Sequence, residues 1–178
     1  MAAQGGGFIK PEVLEPAAIV MRDSYSSVRD TLRAVSGKSA ILQRDVRSAT
    51  DAVLLSRARG LESGCSASLR HLDRSRDLIL GSSGLGSRAP APRRTVLDRS
   101  LIELRSALTT CATEYKGMSS WARVGEMRAR GVNIASRNQI AIRNFEAAAE
   151  PYLLSVGIKM RPYGSGANSY AGSSRPTN

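Results

Sequence analysis

The sequence predicts an all-α protein: an elongated helical bundle or coiled coil with two heptad-bearing halves and a disordered C-terminal tail. Three observations lead there. From Leu14, alternating steps of four and three reach Ala18, Met21, Tyr25, Val28, Leu32, Val35, Ser39, Leu42, Val46, Ala49 and Val53, and only Ser39 is polar. Such a series lines one seam of a helix, because 3.5 residues per repeat nearly matches the helical turn. A second seam of the same spacing follows at Leu97, Leu101, Leu104, Leu108, Cys111, Tyr115 and Met118. Finally, only eight of the 178 residues are aromatic, while Ala, Ser and Gly are abundant, so a core must be thin and built on Leu, Ala and Val. Thin seams suit bundles and coiled coils better than compact enzymes.

Residues 1–10 read as a flexible lead, and 11–80 as the first helical half. Pro11 suits a first helical turn, with Glu12 and Glu15 facing the positive end of the helix dipole. Gly37 invites a break, at about 1 kcal/mol inside a helix, yet the 4-3 phase is the same on both sides, which favours one continuous or kinked helix. Beyond Val53 the stripe slips to Leu54, Ala58, Leu61, Cys65, Leu69, Leu72, Arg76 and Ile79. That slip reads either as a stutter in one long helix or as two helices meeting near Gly60–Gly64.

The string GSSGLGSRAPAPRR at 81–94 is the clearest punctuation, a hinge loop of Gly, Ser and Pro. It separates two halves able to fold back on each other. The second half, 95–160, opens with Thr95 as N-cap and Asp98 at the capping-box position. Its first helix is expected to end near Gly131, after Arg128 and Arg130. Asn133 then caps a further helix with a stripe of Ala141, Phe145, Ala148 and Tyr152, bulk from Ile134, Ile140 and Ile142, and a break or kink at Pro151. Residues 161–178 lack periodicity and apolar bulk, and such a composition does not offset its ordering entropy, so this tail reads as disordered.

Charge bears on partners. The net charge is +11, carried by 22 Arg and four Lys, and it is uneven: residues 1–81 carry +3 and 82–178 carry +8. An Arg-rich surface suits phosphate, RNA, DNA or an anionic surface. Arg123, Arg130 and Arg137 lie seven apart, with Arg128, Arg143 and Trp121 nearby, and on a continuous helix they would make an anion-binding stripe. The bland alternative is a solvated helix face diluted by Glu126 and Glu146.

No catalytic, cofactor-binding or metal-binding set emerges. SGKS at 36–39 resembles the end of a phosphate-binding loop but lacks the earlier glycine, where Leu32 stands. GSSGLG at 81–86 has no preceding strand. His71, six residues from Cys65, is the single histidine, too few with two cysteines for a structural zinc site. Cys65 and Cys111 are expected to be small apolar knobs with inert thiols, not a disulfide framework. The first sixteen residues read as neither a secretion signal nor an organelle presequence, and no apolar run reaches the roughly 20 residues of a membrane span. An intracellular, cytoplasmic protein is expected, with a nuclear location also compatible.

With its paired seams the chain looks like the small helical subunits of tethering and adaptor assemblies. The string EMRARGVNIASRNQIAIRNFEAAAEPYL at 126–153 is loosely similar to part of a subunit of the biogenesis complex of lysosome-related organelles, and no residue role is carried over from it. The functional expectation is a non-enzymatic scaffold or adaptor subunit that binds other helical proteins or a second copy of itself. Leu14, Met21, Tyr25, Val28 and Leu32 would serve one contact, and Leu101, Leu104, Leu108, Tyr115 and Met118 the other, with Trp121 as an anchor. The alternative is a basic accessory protein that binds RNA, ribonucleoprotein or DNA through Arg123, Arg128, Arg130, Arg137 and Arg143.

Overall fold

The computed structural model describes residues 14–81, 84–117 and 124–160, without the side chains of 124–127. Among them lie four long helices and no strand: α1 (Pro16–Asp45), α2 (Asp51–Leu80), α3 (Ala91–Lys116) and α4 (Val124–Ser155). Each packs on its two neighbours in a closed ring, α1 on α2, α2 on α3, α3 on α4 and α4 on α1, which makes an all-α four-helix bundle. The expected flexible lead, the whole tail at 161–178, Met118, Trp121 and Arg123 lie outside the described residues.

α1 runs unbroken through Gly37 and buries Ala18, Met21, Tyr25, Val28, Leu32, Val35, Ser39 and Leu42. The seam nevertheless stops four residues later. Val46 is the C-cap of α1, Thr50 is the N-cap of α2 with its hydroxyl accepting from the Val53 amide at 3.4 Å, and Val53 itself is exposed. The register slip beyond Val53 is therefore a tight antiparallel turn, neither a stutter nor a junction at Gly60–Gly64, both of which sit inside α2. Along α2 the interior stripe takes Ser68 and Ser75, leaving the expected Leu69 and Arg76 only half-buried.

Gly81 ends α2 with a left-handed φ of 55°, and a short 3-10 turn at Leu85–Arg88 leads into α3. α3 starts four residues before the expected Thr95 cap. Pro90 is its N-cap, the Thr95 hydroxyl donates to the Ala91 carbonyl within the helix, and Asp98 pairs with Arg76 at 2.6 Å. The bridge ties α2 to α3 instead of capping a helix end. Tyr152 of α4 donates to the Leu80 carbonyl, which fixes the far end of the bundle over this loop.

α4 is one 32-residue helix, with no end at Gly131, no cap at Asn133 and no stop at Pro151. Gly131 is tolerated because it lies in the core, where its carbonyl accepts from the Tyr115 hydroxyl at 2.8 Å. Arg93 of α3 donates to the Pro151 carbonyl at 3.1 Å beside the proline. The interior stripe of α4 is Ala135, Asn138, Ile142, Phe145, Ala149 and Tyr152, while Ile140, expected to add core bulk, is 51% exposed.

Cys65 and Cys111 form a disulfide between α2 and α3, which corrects the expectation of two separate thiols. The antiparallel packing of these helices sets the two residues at the same height, with Cα atoms 6.0 Å apart, inside the usual range for such a bridge. Both cysteines are fully buried, and Asn138 of α4 donates to Cys65 Sγ at 3.7 Å. Asn138 Oδ1 and Ser39 Oγ are buried without a hydrogen-bond partner among the described residues.

Candidate interaction surface

The residues expected to meet partners lie in the core of the bundle. Met21, Tyr25, Val28 and Leu32 on α1 and Leu101, Leu104, Leu108 and Tyr115 on α3 are all within 2% of full burial, and Leu14 is partly buried against them. Four helices, each with one apolar stripe and each antiparallel to its neighbours, satisfy one another. The two seams are thus spent inside one chain. Tyr25 also meets Phe145 of α4 in a tilted ring contact, centroids 5.7 Å apart, and the Arg29 guanidinium lies over the Tyr25 ring at 5.5 Å. Burial first, and then the negative charge of Glu150, push the Tyr25 hydroxyl up to about 12. The Tyr115 hydroxyl is raised by burial alone.

The arginine set does not make one stripe. Arg128 turns inward over the α1–α2 turn and donates to the carbonyls of Val46 at 2.7 Å and Ala49 at 3.1 Å, with Asp51 3.9 Å away. The Val46 carbonyl sits at the negative end of α1, which favours a cation there. Arg130 pairs with Glu114 of α3. Arg137 and Arg143 are exposed, but six residues on a helix turn them onto different sides of α4.

A different surface emerges from the exposed side chains. Eight large aliphatic residues stand out from the described surface, and four of them, Val96, Ile102, Ile140 and Leu154, border one groove that runs between α3 and α4 and continues at its Leu154 end between α4 and the segment after it, Ile158 to Met160. Three adjoining hollows make up this groove, sharing Glu103 and Asn144 at one junction and Ala147 at the next. Its floor is built from small residues, Ser100, Ala107, Ala141 and Ala148, which let another backbone approach closely. From Ile140 to Leu154 it extends about 21 Å along α4, at 1.5 Å per residue. Sequence reading missed it because its α4 stripe, Ile140, Asn144, Ala147, Pro151 and Leu154, contains only two large apolar residues. The 4-3 spacing of those five positions was the available signal.

Among the described residues no cluster of His, Cys, Asp and Glu could hold a metal ion, and no helix is long and apolar enough to cross a membrane. His71 Nε2 lies 2.7 Å from the Ser27 hydroxyl, an exposed tie between α2 and α1. No family model, curated protein or solved structure matches the chain, so its fold and surface rest on its own residues.

Proposed function

We propose that this chain is a non-enzymatic scaffold or adaptor subunit, whose working surface is the α3–α4 groove rather than the seams of its core. The observation that carries this is the gathering of Val96, Ile102, Ile140 and Leu154 on one small-residue groove. Large aliphatics scattered singly over a surface need no explanation, whereas a contiguous apolar strip with a charged rim marks a contact site. An amphipathic helix fits such a strip, in the manner of coiled-coil packing with anchors three and four residues apart.

Binding of RNA, DNA or an anionic surface has less to support it. Two of its five arginines hold the fold together, and the two exposed ones are turned apart. The cytoplasmic placement is also the weaker reading for a chain whose two cysteines are bonded, since disulfides persist in oxidising compartments. We favour an oxidising compartment.

Gel filtration of native extracts tests the reading. The wild-type chain should elute within a larger particle that survives nuclease, and Ile140→Glu should release it to a smaller size. An elution position unchanged by Ile140→Glu contradicts the groove. Collapse of the particle on nuclease treatment would favour the nucleic-acid reading instead.

A further inference from the structure

We propose that the occupant of the α3–α4 groove is a second copy of this chain, with α4 lying antiparallel against α4 of the other copy. The inference rests on the groove being the working surface and adds the identity of what fills it.

Ile140, Asn144, Ala147, Pro151 and Leu154 succeed one another on α4 at spacings of four, three, four and three, and all line the groove. Arg137, three residues before Ile140, continues the stripe to the groove's end. This stripe maps onto itself when α4 is turned end for end about its middle, between Asn144 and Ala147. Ile140 then faces Pro151 of the partner subunit, and Asn144 faces the small Ala147 of the partner subunit. The aliphatic stem of Arg137 lies along Leu154 of the partner subunit, its charged head free to reach water. Such self-matching is what a two-fold interface requires, because every contact must occur twice.

Charge selects the same arrangement. Arg143 and Glu150 are exposed, seven residues apart and therefore on one flank of the stripe, and neither makes an ion pair among the described residues. End-for-end pairing brings Arg143 of each copy to Glu150 of the partner subunit, two opposite-charge contacts per dimer. Parallel pairing would instead set this flank against the flank of Ala141 and Ala148 of the partner subunit, with no such charge contact. The rim is close to balanced, with Arg99, Arg137 and Lys159 against Glu103 and Glu150, although the chain as a whole carries +11. A strongly acidic partner would find little there to attract it, whereas a surface of mixed sign suits its own copy.

Sedimentation equilibrium of the full oxidised chain, at concentrations up to roughly 0.1 mM, tests this. The wild-type chain should be a dimer. Arg143→Glu and Glu150→Arg should each weaken it about tenfold by placing like charges together, and the double exchange should restore it. Circular dichroism should be unchanged in all three, since both side chains are exposed. A double exchange that fails to restore a dimer lost in the single variants overturns the antiparallel pairing. A monomeric wild-type chain overturns self-pairing: if its native particle still depends on Ile140, the groove reading survives, and if not, both fall.

Discussion

Nη1 of Arg128 donates to the Val46 carbonyl at 2.7 Å, tying α4 to the residue that ends α1. A second nitrogen of the same guanidinium reaches the Ala49 carbonyl at 3.1 Å, so one side chain gathers the oxygens of the whole turn. An arginine that the sequence offers as a nucleic-acid contact thus serves as the clamp of a helical hairpin. Arg128→Ala is expected to cost about 2 kcal/mol, the scale of hydrogen bonds to a charged group. Arg128→Lys should recover only part of this, since an ammonium lacks the guanidinium's planar fork. Urea unfolding measures both.

The disulfide makes a larger claim on stability. Closing a loop between Cys65 and Cys111, 46 residues apart, should stabilise the fold by about 4 kcal/mol through the reduced entropy of the unfolded chain. Replacing both cysteines with alanine should lower the urea midpoint accordingly. Thiol titration of the unreduced chain in denaturant should find no free thiol. Two free thiols would restore the sequence-based expectation.

One change should stabilise. Ser39 is fully buried and its hydroxyl has no hydrogen-bond partner among the described residues. Ser39→Ala removes an unsatisfied group and adds the better helix former, so a gain of up to about 1 kcal/mol is expected. A loss on thermal melting would mean that the hydroxyl has a partner of its own.

Alkaline pH should weaken the fold before the arginines titrate. The hydroxyls of Tyr25, Tyr115 and Tyr152 are all raised, chiefly by burial, Tyr25 to about 12. In the unfolded chain tyrosine ionises near pH 10, so the unfolded state loses its protons first. The stability these groups contribute is therefore intact below about pH 10 and falls as pH rises toward 12. In a chain with Tyr163 and Tyr170 of the tail replaced by Phe, tyrosinate absorbance should appear together with loss of helix, not ahead of it.

Much of the interior was readable in advance. The α1 seam from Ala18 to Leu42 and the α3 seam from Leu97 to Tyr115 are buried at the positions their spacing implies. What escaped depends on neighbours far along the chain. The α1–α2 turn was hidden because Val46, Ala49 and Val53 happen to continue the apolar phase across it. Ser68 and Ser75 looked polar in isolation, but burial is decided by how closely the next helix passes. Gly131 looked like a stop, yet it lies where Tyr115 packs and donates to its carbonyl. Pairing Cys65 with Cys111 requires the α2–α3 register, and giving Arg128 its role requires knowing that α4 begins beside the end of α1. The groove was missed because attention to large apolar residues favours cores over surfaces lined with alanine and serine.

One substitution separates the inner stripes from the outer one most directly. Ile140 is 51% exposed on α4, and nothing in the core depends on it. Sedimentation of the Ile140→Glu chain, with its helix content and melting temperature verified as wild type, should show a folded monomer where the wild-type chain associates. Association equal to that of the wild type would contradict the groove as the surface through which this protein works.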